Sequence, residues 1–166
     1  MSSNTLETDG IRIERIPAGY EGWEELLDLI LRSFDYMTGV IDPPSSALHL
    51  TPASLREKAG GEVGFLAMDG SSLIGCVFLA EREVDFYLGK FAVDPGQQGR
   101  GVGRRLFDAA ELYVRSAGKP VIELQTRIEL TGNHQTFQRL GFHEVGQTAH
   151  QGYDRATSVT MRKELA

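Results

Sequence analysis

The spacing of apolar residues changes period several times along the chain, and each change marks an element. Ile11-Arg12-Ile13-Glu14-Arg15-Ile16 alternates with period two, the pattern of a half-buried strand, and Pro17 ends it. Trp23, Leu26, Leu27, Ile30, Phe34 and Met37 recur at helical spacing and predict an amphipathic helix over about 20–37. Val40-Ile41-Asp42-Pro43-Pro44-Ser45-Ser46 excludes regular structure, because two prolines remove donors and fix φ. Thr51-Pro52 reads as the cap and first position of a short helix that closes near Gly60-Gly61. Residues 63–68 and 73–80 predict a hairpin around Asp69-Gly70-Ser71-Ser72, and residues 85–93 a third strand beyond a charged turn. Val102, Leu106, Ala109, Ala110, Tyr113 and Val114 place a helix at about 101–117, with Gly118 capping it and Pro120 just beyond. Residues 121–126 form the next strand. Asn133 is expected to cap a short helix that ends at Leu140 before Gly141, and residues 142–147 and 156–162 read as a final strand pair.

The order is therefore strand, two helices, three strands, helix, strand, helix, two strands. This is an α/β (α+β) arrangement, a mixed sheet with helices on both faces. The strand–helix–strand run over 85–126 is a βαβ unit, so its two strands should lie parallel and close together. No repeat or linker interrupts the 166 residues, and one domain over 1–166 is expected, with a polar, frayed stretch at 1–9.

Composition narrows the function. No apolar run approaches the ~20 residues that a membrane span needs, and the N-terminus lacks the basic and apolar regions of a signal peptide. Cys76 is the only cysteine, so an intrachain disulfide is impossible and cytoplasmic residence is the default expectation. Its place in an apolar run reads as a core thiol. The net charge of −6 argues against nucleic acid as a main partner and is weakly compatible with a cationic amine substrate. His49, His134, His143 and His150 have no familiar zinc spacing, so no metal is expected.

The chemistry concentrates in Val93-Asp94-Pro95-Gly96-Gln97-Gln98-Gly99-Arg100-Gly101-Val102-Gly103-Arg104-Arg105. A strand stops at Asp94-Pro95, a glycine- and arginine-rich turn follows, and a helix opens at once. Glycines let backbone N–H groups approach an anion, and a helix N-terminus adds about half a positive charge. A Walker A loop is excluded, since no Lys-Ser or Lys-Thr follows these glycines. A dinucleotide loop fits poorly: Arg104 stands where the third glycine belongs, and too little chain follows for a second half.

Gln98-Gly99-Arg100-Gly101-Val102-Gly103 matches Gln/Arg-x-x-Gly-x-Gly/Ala at every defined position, and there the chain resembles the GNAT superfamily of N-acetyltransferases. A second segment, from Asn133 through Phe137 into Leu140-Gly141-Phe142, resembles that family's short helix beside the pantetheine arm. The resemblance covers residues from about 11 to 165. It implies a mostly antiparallel sheet with one splayed parallel strand pair, acetyl-CoA as acyl donor, and transfer to a primary amine by direct attack in a ternary complex. It further implies that Phe91, Ala92 and Val93 meet the pantetheine through main-chain groups. Gln98, Gly99, Arg100, Gly101, Val102, Gly103 and Arg104 would hold the pyrophosphate, and Asn133 and Phe137 would flank the arm. The segment between the first two helices often lines the acceptor pocket in this family.

Many relatives carry a tyrosine at the position of Phe137 as general acid. Phenylalanine has no proton to give. Tyr87 and Asp85, one alternation apart on the strand before the loop, are the catalytic candidates, Tyr87 as donor and Asp85 as acceptor through water. His150, in the loop between the last strands, reads as a solvated side chain, with an approach to the acceptor as the alternative. The acceptor, a small molecule or a peptide amine, is not legible, and dimers are common in the superfamily. A non-catalytic acyl-CoA-binding module of the same fold is the alternative function, and a nucleotide-dependent reductase a third.

Overall fold

The computed structural model describes residues 10–165, so the stretch at 1–9 lies outside the described residues. Seven strands form one sheet: β1 (Ile11–Arg15), β2 (Val63–Asp69), β3 (Ser72–Glu81), β4 (Phe86–Val93), β5 (Val121–Arg127), β6 (His143–Thr148) and β7 (Ser158–Glu164). Their order across the sheet is β1-β2-β3-β4-β5-β7-β6. Every neighbouring pair is antiparallel except β4–β5, the parallel pair that the βαβ pattern requires.

Four helices cover the two faces: α1 (Trp23–Phe34), α2 (Pro52–Gly61), α3 (Val102–Ser116) and α4 (Thr131–Arg139). On one face Val102, Leu106, Phe107, Ala110 and Val114 of α3 pack with Ile74, Val77, Leu88 and Ile122 from the sheet. On the other, Leu26, Leu29 and Ile30 of α1 and Leu55 of α2 pack with Leu66, Cys76, Phe78 and Ala92. Each such fully buried large side chain contributes roughly 1.5–3 kcal/mol. The sheet separates the two cores, which is why its central strands are apolar on both faces.

Local signals account for most boundaries. The Thr51 hydroxyl accepts from the Ser54 amide at 3.0 Å and the Ser54 hydroxyl accepts from the Thr51 amide at 2.9 Å, a reciprocal cap that starts α2 with Pro52 at its first position. Gly118, at φ +80°, stops α3 in the left-handed conformation that glycine tolerates best. Several boundaries differ from the sequence pattern, among them the last strand, expected over 156–162 and found at Ser158–Glu164. The helix expected over 20–37 ends at Phe34 and tightens into a 3-10 turn at Asp35–Met37. Asn133 does not cap α4. That helix starts two residues earlier at Thr131, and the Asn133 amide instead donates to the Tyr36 hydroxyl at 3.0 Å. A tertiary hydrogen bond took the side chain that would have served as a local cap. No helix among the described residues is long and apolar enough to cross a membrane.

Candidate active site

β4 and β5 are paired only at Phe86–Ile122 and Tyr87–Glu123. Beyond that point β4 runs on to Val93 and β5 to Arg127 without pairing, so the strands diverge. Splayed strands leave backbone donors and acceptors that need partners. The Tyr87 phenol lies at this fork, near enough to the Gln125 amide for that amide to act on its pKa. A cleft of about 1210 Å³ opens along the gap.

The strand edge of this cleft is shaped by a bulge. Cys76 pairs with Ala92 and Phe78 with Gly89, so Val77 of β3 faces two residues, Lys90 and Phe91. Lys90 takes φ +49°, a left-handed value uncommon for a residue with a side chain. The bulge shifts the alternation by one residue. Leu88 and Phe91 therefore pack on the α3 side, while Ala92 joins the core under α1 and α2. Cys76 braces it: the thiol donates to the Lys90 carbonyl at 3.3 Å and is fully buried. Burial pushes that thiol up to about 12, so it stays protonated and unreactive at neutral pH.

Most of the expected cofactor residues converge on the cleft. Phe91, Ala92 and Val93 line it from β4, and Gln98, Gly99, Gly101, Val102 and Gly103 from the turn. Asn133 and Phe137 line it from α4. Gly99 and Gly101 adopt φ +85° and +75°, conformations that bend the backbone around an open space. Gly101 is the cap residue of α3, whose first amides have no partner within the helix. An added Cβ at Gly103 would sit 3.7 Å from Val93 and 3.8 Å from Phe91, ordinary van der Waals contact, so an alanine would fit there as well. Asp94 secures the turn. Its carboxylate accepts the Gly96 amide at 2.9 Å and Arg32 at 3.0 Å, and these bonds, the amide first, hold it below the usual carboxylate range.

Three of the expected site residues stand apart from the cleft lining. Arg100 reaches back to Asp69 at 2.9 Å and Gln97 at 2.5 Å, tying the turn to the β2–β3 hairpin. Arg104 pairs with Asp108 one turn along α3 at 3.2 Å. Asp85 lies just before β4, buried, with Arg82 on both carboxylate oxygens at 2.8 Å and Arg162 at 3.7 Å. The Arg82 hydrogen bonds hold Asp85 below its ordinary value against the opposing effect of burial. A carboxylate so engaged is a poor proton acceptor, and its geometry makes it a brace for the start of β4. The expected outcome of Asp85→Asn is a loss of about 2 kcal/mol of stability, because two arginines lose their buried partner. Since the folded pKa is depressed, the ion pair contributes fully above about pH 4 and is lost as pH falls below that value. Chemical denaturation from pH 7 down to 3 should show the gap between wild type and variant closing.

Tyr87 is half-buried at the fork of β4 and β5, with the Arg82 guanidinium 5.2 Å from its ring centre. Burial raises its phenol pKa, and the Gln125 amide opposes this more weakly. Tyr87 therefore reaches the cleft with its proton in place. Phe137 packs 6.2 Å from Phe91 and 5.8 Å from Phe142, measured between ring centres, as a wall residue.

The cleft also gathers residues that sequence reasoning did not single out. Gln97 comes from the turn, Gln125 and Arg127 from the far end of β5, and Lys58 from α2. Lys90 carries a readable signal, the glycine before it in a strand, which often marks a bulge. His150 is more enclosed than a solvated loop residue. It lines the cleft, bonds Thr157 through Nδ1, and has its pKa lowered by burial and then by Arg127. His134, near the start of α4, bonds the Arg127 carbonyl at 2.9 Å. No group of three or more metal-ligating side chains occurs among the described residues.

A mixed sheet with one splayed parallel pair, opening onto a glycine turn and a helix N-terminus, is the class of fold present here, and comparison with known proteins gives its family. The profile of the acetyltransferase (GNAT) family matches residues 23–142, and the chain belongs to that family. An uncharacterized N-acetyltransferase of Methanocaldococcus jannaschii is 34% identical over 88 residues, 53% of this chain. The match spans only 37% of that relative's length. An acetyltransferase from Streptococcus agalactiae has the same fold, with a TM-score of 0.74 at 20% identity, over 94% of this chain and 99% of the other. A GNAT acetyltransferase from Elizabethkingia anophelis with acetyl-CoA bound superposes with a TM-score of 0.68 at 20% identity, over 95% and 99% of the two chains.

Proposed function

We propose that this protein transfers the acetyl group of acetyl-CoA to a primary amine by direct attack in a ternary complex. The observation that carries the reading is the gap beyond Tyr87–Glu123, which leads straight to the turn at 98–103. The residues fit the donor. Backbone amides of Gln98 to Gly103 would hold the pyrophosphate, with Arg100 and Arg104 adding field rather than contact. Main-chain groups of Phe91, Ala92 and Val93 would meet the pantetheine, flanked by Asn133 and Phe137. The acetyl-CoA bound to the Elizabethkingia relative supports the choice of ligand.

Acetyl-CoA supplies an acetyl group activated as a thioester; the amide bond forms as the carbon–sulfur bond breaks, and the thiolate leaves with a proton. Tyr87 holds such a proton at the fork, and Phe137 cannot. Direct attack is favoured because the chain's one cysteine is buried and held protonated, so no thiol is ready to carry the acetyl group. That single buried cysteine also supports cytoplasmic residence. Initial rates of thiol release, with acetyl-CoA and an amine varied together, should give intersecting reciprocal plots. Parallel lines would replace direct attack by an acetylated intermediate. Phe137 keeps a second reading in view, a non-catalytic acyl-CoA-binding module. Tight CoA binding with no acceptor-dependent thiol release across an amine panel would decide for it.

A further inference from the structure

We propose that the acceptor end of the cleft binds an anion, so that the acetylated amine carries a carboxylate or phosphate a few bonds from its nitrogen. This rests on the transferase reading and extends it to the substrate. The chain has a net charge of −6, yet among the described residues no aspartate or glutamate lines the cleft. Lys58, Lys90, Arg127 and Arg139 do, together with His49 and His150.

Lys58, Lys90 and Arg127 stand around the α1–α2 segment, away from the glycine turn. On β4, Phe91, Ala92 and Val93 separate Lys90 from that turn. The Lys90 ammonium donates to the Ser46 hydroxyl at 3.3 Å and has no ion-pair partner among the described residues. Burial, and next the charge of Lys58, push its pKa down. Lys58 is itself paired with Glu62 at 2.9 Å. The Arg127 guanidinium donates to the Pro43 and Pro44 carbonyls at 2.5 and 3.0 Å. Asp42 and Glu129 lie near enough to act on Arg127, but neither lines the cleft.

A half-buried cation whose hydrogen-bond partner is a hydroxyl, and on which the Glu62 charge acts less than burial and Lys58 do, is costly, and an anion brought by the substrate relieves that cost. The same field repels polycations, which argues against a polyamine acceptor. It also disfavours an ammonium on the bound acceptor and so keeps the attacking nitrogen neutral, with no carboxylate base required. The acidic total charge pointed towards a cationic substrate; the local charge points the other way.

The test uses the CoA-loaded protein and calorimetry, so that turnover is not the readout. N-acetylmethionine is compared with its carboxamide, and O-phosphoethanolamine with ethanolamine, which separates carboxylate from phosphate. At least one charged member should bind about ten-fold or more tightly than its neutral partner. Lys90→Gln should shrink that ratio to about three-fold or less while CoA affinity holds. Ratios near one in both pairs, or a preference that survives both Lys90→Gln and Arg127→Gln, would overturn the proposal. A protein that takes up no CoA overturns the acetyltransferase reading itself, which is a different result from CoA uptake without anion preference.

Discussion

Replacing Gly101 by valine is expected to weaken CoA binding by about 100-fold or more, equivalent to roughly 2.7 kcal/mol. Gly101 sits at φ +75°, and a Cβ there would meet nothing within 4 Å among the described residues. The side chain therefore has room, and two separate costs follow. The left-handed backbone costs about 1–2 kcal/mol for a residue with a Cβ, more for a β-branched one. On the proposed function, the open space it would fill is the one that takes the pyrophosphate. Gly118, at φ +80° and also with nothing within 4 Å, supplies the control at the other end of α3, away from the cleft. Gly118→Val should lower the melting temperature comparably and leave CoA affinity unchanged. Equal CoA affinities in the two variants would remove the turn at 98–103 from the binding site.

Tyr87→Phe should lower kcat by about 100-fold, the lower end of what a positioned proton donor contributes, with CoA affinity within about two-fold of wild type. The variant also removes a polar group from a half-buried site, which can change stability by about 1 kcal/mol. The comparison must therefore be made well below the melting temperature. A structural role alone would lower stability and leave kcat at saturating substrates intact. Because the phenol is raised by burial, it keeps its proton through neutral pH. Activity that depends on it should persist from pH 7 to 9 and fall only as the phenol ionises. Unchanged turnover in the variant would pass the proton-donor role to water or another group.

The turn at 98–103 was legible because its demands are local. Alternating glycines between a strand and a helix follow from backbone conformation, and Gly99 and Gly101 indeed adopt left-handed values. The cap at Thr51 and the stop at Gly118 were legible for the same reason. Asn133 shows where such reasoning fails. A capping residue has competing partners, and Tyr36, distant in sequence, took its side chain. Asp85 and Tyr87 are two residues apart, yet one is locked between arginines and the other opens on the cleft. Nothing in their spacing announces Arg162, which arrives from β7.

Hydrophobic periodicity and glycine placement by themselves determined the order of elements, the parallel pair, the two-sided core and the glycine turn between β4 and α3, since each depends on residues close together in the chain. The tertiary structure alone decided which charges share the cleft. Lys58, Lys90, Arg127 and His150 come from four separate elements, and the electrostatic field of a pocket is a sum over distances in space that sequence separation does not encode.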